Sequence, residues 1–272
     1  MQETTRTLRT PRGERLMWIT TQRVFYAGLL GAAGERTLGG HGVYVAPAGA
    51  PPNRICICIG GGAWQSGDLL VVPPQVPHRV QSASPLILNL LIEAESVDAA
   101  RLPAVLQHCG PVDAPAFVQR VRDGHARLLA ASGRECFNSF DFDTLFFGAA
   151  LAPRPFDARI REVIDRINAD PAGPASAEAC AAAVHLSFSR FLHLFKQETG
   201  VPFRAFRAWK RARSLLRHVR EPSTLTDIAL DTGYPDSTHF SHSIRQVYGL
   251  KPSDILAGSR RLALHDAGRV VL

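Results

Sequence analysis

Eight side chains in the last third of the chain could act together, and their chemistry is recognition rather than catalysis. Ser189, Arg190, His193 and Lys196 form one set; Thr238, Ser241, His242 and Arg245 form the other. At these spacings each set falls on one side of a helix. Both sets are rich in hydrogen-bond donors and hold no carboxylate. Such a face suits phosphate oxygens and base edges, and the bidentate Arg–guanine contact makes Arg190 the expected base reader.

Each set needs a frame. In the first, Ser176 is a good N-cap, Ala177 to Ala183 is an alanine-rich helix, and Val184-His185-Leu186 turns the chain. Ser187 then caps a second helix, with Phe188, Phe191, Leu192 and Phe195 predicted as its buried stripe. In the second, Thr226 is the expected cap, Ile228 and Ala229 pack, Gly233 permits the turn and Asp236 or Ser237 caps. Phe240, Ile244 and Val247 are its expected stripe, and Gly200 and Gly249 stop the two final helices. Each copy reads as a helix-turn-helix, whose second helix enters a DNA major groove. Backbone N–H groups near Ser187 and Ser237 are expected to hold phosphates.

Charge supports this reading. The net charge is +7, and residues 156–272 hold 17 Lys+Arg against 12 Asp+Glu. From Ser187 to Arg220 there are nine basic residues (Arg190, Lys196, Arg204, Arg207, Lys210, Arg211, Arg213, Arg217, Arg220) and one acidic, Glu198. A basic stretch inside such a unit is the expected footprint of phosphate contact. Val201–Val219 is the expected linking helix, about 25 Å long at ~1.5 Å per residue, with Trp209 as a core anchor and its Arg and Lys facing phosphate or solvent.

The run Gly233-Tyr234-Pro235-Asp236-Ser237-Thr238-His239-Phe240-Ser241, ending in Tyr248-Gly249-Leu250-Lys251-Pro252-Ser253, resembles the signature of AraC/XylS-type transcription regulators. The first copy, with Leu186-Ser187, Phe195-Lys196 and Glu198-Thr199-Gly200, resembles the matching upstream half, and Arg211 stands where that family carries an arginine on the linking helix. The resemblance covers roughly residues 157 to 255. It implies double-stranded promoter DNA as partner, with RNA polymerase and a second copy of the chain as further partners. Ile244 departs from the usual aromatic and Leu215 from the usual small residue.

The first half reads differently. Short apolar runs broken by Gly and Pro (Met17–Thr21, Val24–Leu30, Gly42–Ala46, Ile55–Ile59, Asp68–Val72, His78–Gln81, Leu86–Ile92) predict an antiparallel barrel or jelly roll. Gly67-Asp68 followed by Pro73, Pro77 and His78 resembles the second conserved motif of cupins, a sensor fold often joined to AraC-type domains. The expected effector pocket is lined by His41, Tyr44, Trp64, His78 and Arg79, suited to a small organic ligand. The upstream cupin metal motif is missing, so neither a metal nor any other cofactor is expected. Cys56 and Cys58 share one strand face and read as small buried hydrophobes.

The expected architecture is α+β and multidomain: a cupin-like β-barrel over 1–95, intermediate helices over 96–152 and an all-α DNA-binding domain with two helix-turn-helix units over 156–259. Residues 1–15 read as a mobile arm. Val97, Ala100, Arg101 and Val105 predict one intermediate helix, Phe117 to Leu129 a second, and Asp143–Leu151 a third; they are candidates for a dimer interface or for packing on the barrel. Ala152-Pro153-Arg154-Pro155 is the expected boundary, and the tail past Ser259 reads as irregular. Five cysteines without a CxxC pair, no signal-peptide pattern and no apolar run of ~20 residues point to a soluble, cytoplasmic protein without membrane contact. The rival reading is a cupin-type metal-dependent enzyme with an accessory helical domain; with no metal motif and no G-x-S-x-G, a non-enzyme is expected.

Overall fold

The computed structural model of the protein describes residues 15–28, 34–49, 55–84, 86–131, 137–218, 223–259 and 263–266. The arm expected over 1–15 lies, apart from Arg15, outside the described residues, as do Leu29, Leu30, Val219 and Cys136.

Strands β1 (Leu16–Ile19), β2 (Arg23–Gly28), β3 (Gly40–Val45), β4 (Ile55–Ile59), β5 (Trp64–Gly67), β6 (Leu69–Val72), β7 (His78–Ser82), β8 (Ile87–Glu93) and the two-residue β9 (Gly110–Pro111) build two facing sheets. With a further strand, β10 (Ala263–Asp266), the larger sheet runs β10-β1-β2-β8-β3-β6-β9, and the smaller runs β5-β4-β7. The expected runs Met17–Thr21 through Leu86–Ile92 all contain strands. β5 lies outside those runs, because Trp-Gln-Ser-Gly has no apolar alternation.

Alternation decides what each face meets. In the larger sheet Met17, Ile19, Val24, Tyr44, Leu70, Val72 and Leu91 face the smaller sheet, where Ile55, Ile57 and Val80 meet them. Leu16, Trp18, Phe25, Val43, Val45, Leu69, Val71, Leu88, Leu90 and Ile92 point the other way, onto α1 (Pro115–Ala131) and α2 (Phe142–Phe147). These helices therefore cover an apolar sheet face. The helix expected from Val97 is instead a series of single 3-10 turns, Ala94–Ser96, Ala99–Arg101 and Ala104–Gln107, because Pro103 interrupts it.

The C-terminal half is helical: α3 (Ala158–Ala169), α4 (Ala177–Ala183), α5 (Phe188–Thr199), α6 (Phe203–Ser214), α7 (Leu225–Asp231), α8 (Ser237–Tyr248) and α9 (Pro252–Ser259). Asp157 caps α3, its carboxylate accepting from the Arg159 N–H, and Ile160, Val163, Ile164 and Ile167 are buried. The tail past Ser259 is not wholly irregular: β10 pairs in parallel with β1, from Leu16↔Ala263 to Ile19↔Asp266.

The linking helix is not α-helical throughout. Pro202 precedes its first turn, and Leu215–Arg217 tightens to a 3-10 turn. Its twelve α-helical residues span about 18 Å, and the 3-10 turn adds about 6 Å, so the helical segment as a whole comes close to the expected 25 Å. Its cations do not all face solvent. Lys210 and Arg213 are buried against the β half: Lys210 Nζ binds Glu93 and Glu95, Arg213 Nε donates to Glu93 Oε1 at 2.9 Å, and its Nη2 donates to the Thr20 carbonyl at 2.7 Å. Burial alone would raise Glu93, but the Lys210 and Arg213 charges outweigh it and hold its carboxyl well below the usual range. Glu95 is pushed up to about 8 by burial and by the Glu93 charge. Trp209 is buried and packs against Tyr248 of α8, as expected of an anchor, and it also meets the β half: a Cβ on Gly39 would lie 2.1 Å from the indole Cγ. The inner core of the sheets thus continues through Trp209, Ala212, Leu215 and Leu216 into Ile228, Phe240, Ile244 and Val247.

Candidate nucleic-acid interface

Helices α4 and α5 form one helix-turn-helix. Ser176 Oγ accepts from the Ala179 N–H, Ser187 Oγ accepts from the Arg190 N–H, and Gly200 closes α5 at φ 75°. His185 makes the turn at φ 53°. The buried stripe of α5 is Phe191, Leu194, Phe195 and Thr199 rather than the expected set: Leu192 is half-buried and Phe188 is 47% exposed. The stripe lies one step round the helix because α3 and Phe203 of α6 pack from that side.

Helices α7 and α8 repeat the unit. The cap of α7 is Thr224, not Thr226; with Asp227 it makes a reciprocal capping box, in which each side chain accepts from the other's backbone N–H. Gly233 turns the chain at φ 80°, Asp236 caps α8, and Gly249 closes it at φ 69°. Phe240, Ile244 and Val247 form the buried stripe.

Ser187, Ser189, Arg190, His193 and Lys196 are all exposed along α5. On α8, Thr238, His242 and Arg245 are exposed, and Ser237 and Ser241 are half-buried. Both recognition helices therefore present donors to the outside. Ser237 is less open to phosphate than expected, because the Asp236 carboxylate already accepts from the N–H groups of Thr238 and His239 at 2.8 Å and brings a negative charge. Arg211 is half-buried on α6, and its Nε has no hydrogen-bond partner. His239 was missed from the sequence: it stands at the α8 position matching Arg190 and is paired through Nδ1 to Asp236 at 2.7 Å. Aligning the two repeats residue by residue would have found it.

The five expected effector residues do not share one pocket. Tyr44 and His78 meet inside the sheets. His78 Nδ1 lies 2.8 Å from the Val76 carbonyl, so that nitrogen carries the proton, and Nε2 accepts from the Tyr44 hydroxyl at 2.8 Å. Both ring nitrogens are occupied, which leaves no lone pair for a metal in this arrangement. Burial lowers His78 to about 4, with the Val76 bond pulling up and the Arg36 charge pulling down. His41 lies on the opposite, helix-facing side of its sheet, opposite Ile92; burial and the Arg154 and Arg23 charges lower it to about 4 as well. Trp64 and Arg79 both pair with Cys58, on the outer face of the small sheet, and are largely exposed. Among the described residues no group of three or more His, Cys, Asp or Glu could hold a metal ion.

The residue that joins Tyr44 and His78 is Arg36. Its backbone bonds to His78 in both directions, at 2.9 Å and 3.0 Å. Its side chain is 6% exposed, its charge acts on Tyr26, Tyr44 and His78, and its Nε and one Nη have no hydrogen-bond partner. No ion pair to Arg36 occurs among the described residues. Nothing local in Glu35-Arg36-Thr37 signals burial, so sequence reading had no handle on it.

Two helix-turn-helix units on one linking helix, each with an exposed donor-rich second helix, define a DNA-binding domain. Residues 180–258 match the family described as "Helix-turn-helix domain". The arabinose operon regulatory protein of Escherichia coli (strain K12) is 31% identical over 109 residues, covering 38% of this chain and 36% of that protein. The HTH-type transcriptional activator RhaS of Klebsiella pneumoniae (strain 342) is 35% identical over 105 residues, covering 38% and 37%. The chain thus matches little more than a third of the length of these relatives. Residues 180–258 form a helix-turn-helix domain, and this part of the chain is similar to these two regulators. Among solved structures, an apo ToxT variant from Vibrio cholerae strain SCE256 covers 87% of this chain and 97% of its own at a TM-score of 0.53 and 10% identity. Unsaturated fatty acid-bound ToxT gives a TM-score of 0.51 at 11% identity. At such identities the likeness shows the fold alone: an N-terminal β domain joined to C-terminal helices. No helix among the described residues is long and apolar enough to cross a membrane.

Proposed function

We propose that the protein is a sequence-specific DNA-binding transcription regulator whose N-terminal β domain, read as a cupin-like sensor, answers to a small effector. The observation that carries this is the pair of equivalent recognition helices, each with an exposed His and a cation at matching positions: His193 with Lys196, His242 with Arg245. Arg190 reads a base, and Lys196, Arg245 and the α5 N-terminus hold backbone phosphates. The chain is a cytoplasmic non-enzyme, with RNA polymerase and a second copy of the chain as further partners. The ToxT structure solved with an unsaturated fatty acid, together with the buried Arg36 guanidinium, whose Nε and one Nη have no hydrogen-bond partner, favours an effector carrying a carboxylate. Tyr44 and His78 are neutral neighbours of that cation, so an anion there would relieve an uncompensated buried charge.

The test is selection of bound sequences from a random DNA pool by the full chain at fixed salt. An enriched motif with two half-elements, whose preference relaxes at one position in Arg190→Ala with a cost of about 1–3 kcal/mol, is the expected result. Binding without enrichment, fading uniformly as salt rises, would sink the proposal.

A further inference from the structure

Positions on α5 and α8 correspond one to one, because each helix runs from a side-chain cap to a left-handed glycine over twelve residues. Phe191 matches Phe240, His193 matches His242, Lys196 matches Arg245 and Gln197 matches Gln246. Beside the reading face the match fails at two places one turn apart. Phe188 and Leu192 stand where α8 has Ser237 and Ser241. Phe188 is one of three large hydrophobic residues strongly exposed among the described residues, and Leu192 is half-buried behind it.

The core has no use for Phe188, since Phe191, Leu194 and Phe195 fill the buried side of α5. At 100° per residue, the row Phe188, Leu192, Lys196 borders the row Ser189, His193. The apolar pair is therefore a strip along a donor face, at the N-terminal end of the helix, in the same row as the cation Lys196, with Arg190 on the far side of the exposed face. The cations favour a polyanion as the surface this strip meets, and the apolar group on a major-groove edge is the thymine C5-methyl. We propose that Phe188, backed by Leu192, reads thymine through that methyl group in the half-element under α5. Ser237 and Ser241 leave α8 without such a contact. The inference rests on the DNA-binding reading above and adds a specificity-determining residue to it.

The experiment uses the full chain and its selected DNA site. Each thymine is replaced singly by uracil, which removes only the methyl group, and affinity is measured at fixed salt. The half-element under α5 is the one whose preference relaxes in Arg190→Ala. At least one thymine there should lose about fourfold in affinity per methyl removed. Phe188→Ser should bind more weakly and lose that uracil sensitivity, with effects elsewhere in the site unchanged; Phe188→Met should keep part of it. Uracil sensitivity that survives Phe188→Ser, or its absence throughout that half-element, would overturn the inference while leaving the DNA reading intact. Failure to enrich any sequence would remove both.

Discussion

The indole of Trp209, on the helix that links the two DNA-binding units, lies against the bare backbone of Gly39 in the β half, where a Cβ would come within 2.1 Å of the ring. A glycine here is a condition of docking. Gly39→Ala should force the buried indole to shift, at about 1–3 kcal/mol, and should alter tryptophan emission. Denaturant unfolding followed by fluorescence measures both; an unchanged midpoint would mean the two halves do not meet there.

Beside that contact, Glu93 pairs with both Lys210 and Arg213 in a buried cluster. Glu93→Gln leaves two buried cations facing Glu95 alone and should cost about 3–5 kcal/mol, whereas replacing Glu93 and Lys210 together by Met should cost much less. A double-mutant cycle in urea separates the two cases. Equal losses for the single and double variants would deny the coupling.

The two turns make an internal comparison. Gly233→Ala places a Cβ at φ 80°, 2.6 Å from the Ala172 carbonyl oxygen, and should destabilise the domain by more than 1 kcal/mol. His185 occupies the equivalent place in the first unit at φ 53°. Relief of its left-handed strain should let His185→Gly stabilise by up to about 1 kcal/mol. Thermal melts of the two variants should move in opposite directions.

His78 supplies a pH dependence with a definite sign. Its folded pKa, about 4, lies below the unfolded 6.5, so the unfolded chain binds the extra proton first. The stability it contributes is present above pH 6.5 and is lost as pH falls towards 4, by about 3 kcal/mol. His41 acts in the same direction. Glu95 opposes them, since its raised pKa contributes stability that fades as pH climbs from 4.5 towards 8. The comparison is therefore between wild type and His78→Gln, whose unfolding free energies should converge as pH drops from 7 to 4. Parallel curves would refute the assignment.

Much of the helical half was legible in the sequence, because Ser176, Ser187 and Asp236 cap where their chemistry requires and Gly200 and Gly249 end helices by left-handed geometry. The errors arose where tertiary packing overrides spacing. Phe188 fits an i, i+3, i+4, i+7 stripe, yet the approach of α3 and α6 selects Leu194 instead. Lys210 and Arg213 read as solvated, because Glu93 and Glu95 lie more than a hundred residues away. In the β half the strands were visible, but which strand faces inward depends on register. His41 and Tyr44 stand three apart on β3, and His78 and Arg79 are neighbours on β7, so alternation alone separates them; the placing of Trp64 and Arg36 depends on how the sheets pair.

The parallel pairing of β10 with β1 has a mechanical consequence. A domain hung on a single linker can swing through a wide cone. Here the helical half is fastened to the β half at both ends, through the Pro153–Pro155 segment and again through β10. With the Gly39–Trp209 contact and the Glu93–Lys210–Arg213 cluster lying between the two fastenings, its movement while they hold is reduced to small shifts of tilt. A change in the β half would then reach the helical half as a change of tilt of α5 and α8 against the sheets, rather than as its release.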